Sequence, residues 1–313
     1  MSWLLLAASA TALTAPRRTA VAPRAAVALQ GRSDAQLKRG IAEFYDESSG
    51  IWEDVWGEHM HHGWYEPGEK AGTMERDVAA QSTMIDKALE LCGAADVAAR
   101  CEAAGRPMRI LDVGCGIGGS SRHMARRFAG AQATCVGLTL SPEQARRGNE
   151  LSREAGLDVT LEARDATNTT FADGSFDLVW SMESGEHMPD KAKFVAELGR
   201  LCAPGGRVSV VTWCHRDLQR GRKLNAQRGV TARGVRDWTA NIAPFWPAVA
   251  RSSLKWSSLK KLRKTGLKTI RGAVAILFMI LGYKLGTVKF VAVAAAKDEA
   301  PGDAKWAWSG PVF

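Results

Sequence analysis

Between Arg109 and Trp213 the chain alternates short apolar runs with helical stretches, and this alternation constrains the fold more than any other feature. Arg109–Val113 is an apolar run that ends in a glycine-rich turn, the pattern of a buried parallel strand. Ser120–Ala129 reads as the helix that follows, and Ala133–Leu140 as a second strand. Ser141-Pro142-Glu143 then opens a helix with an N-cap serine, a proline at the first helical position and an acid in the first turn. That helix runs to about Ala155, where Gly156 stops it. Val159–Ala163, Phe176–Ser181 and Arg207–Trp213 supply three further strands, and Asp190–Leu201 a helix closed by Pro204-Gly205-Gly206. Short loops between alternating strands and helices predict an α/β fold: a doubly wound, mostly parallel sheet covered on both faces.

The flanks differ. Residues 36–105 read as helical and form a cap, rich in Trp, His and Glu at the front. Residues 215–240 are polar and basic with no clear periodicity, and Thr287–Ala296 alternates weakly as a late strand. Ala273–Gly282 is apolar but too short to span a bilayer. These readings divide the chain into a leader (1–33), a helical N-terminal cap (34–108), a core (109–214), a basic segment with a final strand (215–297) and a tail (298–313). The six cysteines are scattered without a CxxC pair, which reads as free thiols in a reducing compartment.

Charge is unevenly spread. From Asp34 to His215 there are 19 basic against 28 acidic residues; from Arg216 to Lys297 there are 18 against 2. A basic block of this kind seeks phosphate, of nucleic acid or of lipid headgroups, or is simply a solvated surface. No nucleic-acid-binding motif accompanies it. Lys and Arg interleaved with Leu, Trp and Ile over 251–271 fit peripheral contact with a membrane surface better. The first 33 residues carry four Arg, no Lys and no acid, with a short apolar run at Trp3–Ala8. That composition resembles a signal peptide joined to a transit peptide, and it points to a plastid.

The run Ile110-Leu111-Asp112-Val113-Gly114-Cys115-Gly116-Ile117-Gly118-Gly119 sits at the carboxyl end of the first strand, where ligands bind in a doubly wound sheet. Glycines let the backbone approach a ligand and turn sharply into a helix. The spacing departs from the dinucleotide fingerprint, and Asp112 would repel phosphates. Beside the sulfonium and ammonium of S-adenosyl-L-methionine an acid is favourable. Thr139, with Gln144 one turn into the next helix, occupies the place of the ribose-holding acid. Asp165 and Ala166 follow the third strand, within reach of an adenine amino group, and Met182 ends the fourth strand. Each of these polar residues is also a plausible turn or cap residue.

Five passages resemble something more specific: Ile41–Gly63 (IAEFYDESSGIWEDVWGEHMHHG), the glycine run with Gly137–Gln144 (GLTLSPEQ), Trp180–Val195 (WSMESGEHMPDKAKFV), Thr212–Leu218 (TWCHRDL) and Phe245–Val249 (FWPAV). They closely resemble the γ-tocopherol C-methyltransferases of plants and algae, over most of residues 36–297. More distant similarity extends to cyclopropane fatty acid synthases and indole-alkaloid N-methyltransferases. The resemblance implies a plastid enzyme that methylates the chromanol ring of γ- or δ-tocopherol, a lipophilic phenol, to give α- or β-tocopherol. A related N-methyltransferase, a lipid methyltransferase and a cofactor-binding pseudoenzyme remain alternatives. Residues 219–244 depart from the family: a longer helical insert and a further strand are expected there, so a shortened substrate lid is anticipated.

Methylation of carbon beside a phenol calls for a base of near-neutral pKa. Glu186 and His187, just past the fourth strand, are the first candidates, and the resemblance to cyclopropane synthases implies that the acid at Glu186 lines the active site. His61, within His59-Met60-His61-His62, is a further candidate. No third ligand of suitable spacing accompanies that cluster, so no metal is expected. Tyr45 resembles the aromatic that closes over the cofactor in the wider family. Trp52, Trp56 and Trp64 could line an apolar substrate pocket or pack in the core.

Overall fold

In the computed structural model, which describes residues 33–70, 72–215, 230–253 and 277–298, helices α1 (Asp34–Trp56), α2 (Met74–Cys92) and α3 (Ala94–Ala103) precede the sheet. Then follow β1 (Arg109–Val113), α4 (Gly119–Arg127), β2 (Thr134–Thr139), α5 (Pro142–Glu154), β3 (Val159–Ala163), β4 (Phe176–Met182), α6 (Lys191–Leu201) and β5 (Cys202–His215). The chain ends with β6 (Val230–Asp237), α7 (Phe245–Ser253), a helix over 277–284 (α8) and β7 (Val288–Lys297).

The described strands form one sheet in the order β3-β2-β1-β4-β5-β7-β6. Strands β1 to β5 run parallel, and β7 lies antiparallel between β5 and β6. Burial on both faces explains the continuous apolar strands: all of β4 is buried. Alternation sends Ile110, Leu178 and Trp180 into one core cluster with Met84 and Phe290, while Leu111, Val113 and Val179 join Phe194 and Leu198 on the other face. The Ser141 cap expected from sequence is present, its side chain accepting from the Gln144 amide; Asp190, read from sequence as the start of the helix, caps α6 by accepting from the Lys193 amide.

Two expectations are corrected. Residues 215–240 carry no strand pattern, yet Val230–Asp237 forms β6 on the outer side of β7. The free edge of β7 offers unpaired N–H and C=O groups, which an extended segment satisfies without an alternating apolar face. The 219–244 region, expected to be a shortened lid, therefore holds a strand; its first part, with the basic segment 254–276 and residues 1–32, lies outside the described residues. Pro204-Gly205-Gly206 does not precede a separate strand either, since β5 starts at Cys202 and carries it.

Helix α1 is tied to the core by polar contacts. Lys38 pairs with Asp165 at 2.7 Å, Asp46 accepts from the Ser141 hydroxyl, Gln144 donates to Ser49 Oγ at 2.9 Å, and Arg147 pairs with Glu53 at 2.7 Å. Just beyond the helix, Glu58 pairs with the fully buried Arg122, which also donates to the Ile117 carbonyl at 2.8 Å. These contacts lay the cap over the carboxyl ends of β1, β2 and β3.

Candidate active site

The turn after β1 is built on left-handed glycines: Gly114, Gly116 and Gly118 have φ of 78°, 57° and 81°. At Gly114 the constraint is absolute, because a Cβ would stand 2.1 Å from that of Ser184. The amides of Gly114 and Cys115 both donate to the Leu138 carbonyl, and Ser184 Oγ donates to the Val113 carbonyl at 2.7 Å. Loop, second strand and fourth strand are thereby locked together.

Above this turn lies a cleft. It is lined by Tyr45, His61, Asp112, Gly114, Cys115, Gly116, Thr139, Gln144, Asp165, Ala166, Met182 and His187, all expected from sequence. Ile110, Leu111, Val113 and Ile117 do not reach it; they turn into the core and shape the strand and turn from behind. Gly118 and Gly119 also stand back from it. Gly118 is the left-handed N-cap of α4, and a Cβ on Gly119 would lie 2.4 Å from the Glu58 carbonyl, so the cap packs directly on that backbone. Trp56 is core, set edge-on to Phe245 with ring centroids 5.0 Å apart, and Trp64 packs on Trp238. Nothing of the Trp52 side chain is described.

Asp112 is fully buried. It accepts from Ser121 Oγ at 2.7 Å, and among the described residues no basic side chain pairs with it. Burial pushes its pKa up to about 7, against the pull of Ser121. An un-neutralised acid facing a glycine cradle suits a cationic ligand, and S-adenosylmethionine fits the residues present. Thr139 Oγ1 donates to Gln144 Oε1 at 2.6 Å, so the two neutral groups brace each other at the cleft wall. Asp165 is bonded to Lys38 and Thr167. Burial alone would raise its pKa, but these partners hold it below the usual carboxylate range.

The far wall comes from the 3-10 turn Gly185–His187 and the loop after α1. Glu186 stands on that turn, set back from the cofactor cleft, and Thr212 Oγ1 donates to its Oε2 at 2.6 Å. Burial, aided by the nearby Glu183 carboxylate, pushes its pKa up to about 8. His187 Nε2 lies 3.3 Å from the Tyr45 hydroxyl; burial lowers its pKa to about 4. His61 is also depressed to about 4 by burial. Its Nδ1 lies 2.9 Å from the His62 carbonyl, an acceptor only, so Nδ1 carries the hydrogen. His61 Nε2 is then a buried lone pair without a partner among the described residues. Sequence reasoning missed Glu183, which also lines the cleft and binds the backbone amide and ring of His62 at 2.7 and 2.6 Å. It missed Lys38 as the partner of Asp165 as well. Neither has a local signal, since both act on residues more than a hundred positions away.

Residues 110–206 match the family of the methyltransferase domain. The chain is 46% identical over 295 residues to the probable chloroplastic tocopherol O-methyltransferase of Oryza sativa subsp. japonica, covering 84% of this chain and 79% of that protein. It is 43% identical over 305 residues to the chloroplastic tocopherol O-methyltransferase of Arabidopsis thaliana, covering 87% and 86%. The crystal structure of a putative sarcosine dimethylglycine methyltransferase from Galdieria sulphuraria shares the fold at a TM-score of 0.66 and 18% identity, over 82% of this chain and 99% of that one. The sheet order, the acid–glycine turn and these similarities define a class I S-adenosylmethionine-dependent methyltransferase. Within that class, the chain belongs to the tocopherol O-methyltransferase family.

Proposed function

We propose that this enzyme C-methylates the chromanol ring of γ- or δ-tocopherol, in a plastid, and that Glu186, His187 and His61 form the acceptor side of its site. The carrying observation is identity above 40% over most of the chain to two proteins named for tocopherol and the chloroplast. When bound, S-adenosylmethionine would supply the methyl group. Asp112 would balance the ligand's positive charge, Thr139 and Gln144 would hold its ribose, and Asp165 with Ala166 would meet its adenine. Tyr45 and Met182 close the cleft beside the reacting atoms.

The acceptor's phenolic proton must leave before the ring carbon is nucleophilic enough. Glu186, as its carboxylate, takes that proton, and its high pKa suits the task. His61 Nε2 and neutral His187 supply acceptor and donor positions that orient the hydroxyl. After the methyl–carbon bond forms, the hydrogen on the same ring carbon leaves as a proton, aromaticity returns as the phenolate, and Glu186 gives its proton back to that oxygen. The net change is one ring hydrogen replaced by methyl and one proton released.

A lipophilic phenol resides in membranes, and the apolar face of α8 supports a peripheral contact. Leu277, Phe278 and Leu281, with Leu285 just beyond, are exposed on it. The neighbouring basic stretch adds affinity for anionic headgroups. Among the described residues no helix is long and apolar enough to cross a membrane.

The test is incubation with labelled S-adenosylmethionine and a panel of γ-tocopherol, δ-tocopherol, indole alkaloids and fatty acids, with product identification. Label in α- or β-tocopherol is the expected result; label in an alkaloid or fatty acid alone overturns the substrate assignment. Flotation of leader-free protein with anionic liposomes checks the membrane contact, and protein remaining at the bottom at low salt refutes it.

A further inference from the structure

Glu183, the residue just past β4, adopts an unusual backbone state, with φ of 52° in a residue that carries a Cβ. Strain of this kind persists only where surrounding contacts over-determine it. Here they do. The Glu183 amide donates to the Val211 carbonyl at 2.7 Å, and both carboxylate oxygens are taken by His62, one by its amide and one by Nδ1. Among the described residues, no other polar group holds the His62 ring. It stacks on Phe245 with centroids 3.8 Å apart, beside Phe290, and its Nε2 is buried without a partner among the described residues. His61, whose own Nδ1 hangs on the His62 carbonyl, is carried by the same anchor. Glu186 is three residues further on, across the Ser184-Gly185 turn.

We propose that Glu183 is a positioning residue for the acceptor chemistry: it clamps the His61–His62 turn onto the end of β4 and places a fixed negative charge beside Glu186. The proposal rests on Glu186 as the proton acceptor. Glu183 is suited to remain charged. Burial would raise its pKa, but His62 and His61 pull it below the usual carboxylate range. The groups facing the two carboxylates come from every packed element. They are Tyr45 from α1, His61 and His62 from the cap loop, His187 and Lys191 from the turn and α6, Thr212 and Cys214 from β5, and Tyr283 from α8. Lys191 is the lysine among them, and its ammonium is already held by the carbonyls of Glu186 and Met188 at 3.0 and 2.6 Å. Glu183 therefore opposes ionisation of Glu186 more strongly than Lys191 favours it, and makes Glu186 the stronger base. A residue that only braced the fold would not do this.

The test is the pH profile of kcat/KM, with labelled S-adenosylmethionine and γ-tocopherol, for the parent, Glu183→Gln and Glu186→Gln. Glu183→Gln keeps an oxygen for His62 and removes the charge. Its acid limb is expected about one pH unit below the parent's, the size of effect one nearby like charge produces. Glu186→Gln is expected to lose that limb together with most of the activity. A folded, cofactor-binding Glu183→Gln whose limb coincides with the parent's overturns the proposal while leaving Glu186 as the base. A limb that survives in Glu186→Gln overturns the reading of Glu186 itself, and the proposal with it. Should Glu183→Gln fail to fold, His62→Gln keeps the charge and breaks the clamp. Its KM for the acceptor should rise with the limb at or above the parent's pH, and a limb moved to lower pH overturns the proposal.

Discussion

On the cofactor side of the cleft, polar groups satisfy one another within short reach. Gly114 and Cys115 share the Leu138 carbonyl, Ser184 closes on Val113, and Thr139 meets Gln144. On the proposed acceptor side, His61 and His62 each present a buried Nε2 without a partner among the described residues, and Glu183 precedes by three residues the Glu186 of the Gly185–His187 turn. Pairing of this kind is what preorganisation requires of a site that always binds the same cofactor. Unpaired groups in low dielectric cost stability, and they are retained where a ligand completes them. The difference separates a rigid cradle from a site that is incomplete until the acceptor arrives.

The comparison can be broken most sharply at Gly114. Gly114→Ala should lose about 3 kcal/mol or more of stability, because its Cβ collides with Ser184 and its φ is left-handed. Denaturant unfolding with and without cofactor measures this, and a loss under about 1 kcal/mol would show the cradle to be pliant.

A second test concerns the acid that has no cationic partner. Asp112→Asn should keep the fold and weaken S-adenosylmethionine binding about 100-fold, the range for removing one charge of a buried pair. Calorimetry showing unchanged affinity would take Asp112 out of the binding site.

The same carboxyl predicts a pH dependence. Its pKa of about 7 in the free protein lies above the ordinary 3.8, so below pH 7 it must shed a proton to meet a cation. Affinity should fall about tenfold per unit as pH drops below 7, and should be flat above it. A pH-independent affinity between pH 5 and 8 would contradict this.

The smallest effect is expected on the acceptor side, in stability. Glu186 has a folded pKa of about 8 against an ordinary 4.5, so the native state holds a proton that the unfolded chain has lost. Between these values native stability should decline as pH rises, and then level off. Glu186→Gln removes that penalty and should be more stable than the parent by about 1–2 kcal/mol at pH 9, with little difference at pH 4. Melting curves at the two pH values decide it; an equal difference at both would mean that Glu186 is not strained by burial.

The cofactor half was legible because its signals are local. Asp112 and three spaced glycines occupy seven consecutive positions, and Ser141 caps its helix through a backbone amide three residues away. Apolar periodicity located β1 to β5 for the same reason. The acceptor half draws on the loop after α1, the turn after β4, the end of β5 and α8, and a pairing such as His62 with Glu183 leaves no mark near either residue. Strand β6 escaped notice because an edge strand is held by main-chain bonds to β7, which any extended polar segment can form. Trp56 shows the converse limit: an aromatic in a promising passage proved to be core, and only packing distinguishes the two.

Sequence by itself determined that this chain winds a mostly parallel sheet, that it places an acid and glycines at the carboxyl end of the first strand, and which family it resembles. It could do so because these properties are set by periodicity and by neighbours a few residues apart. Tertiary structure alone decided which residues stand together around Glu186, that Glu186 is pushed up while Glu183 is held down, and that the cap is fastened over the cleft by Lys38, Asp46, Ser49, Glu53 and Glu58. Desolvation and charge–charge interaction depend on distance in space, and folding brings together groups that the chain holds a hundred residues apart.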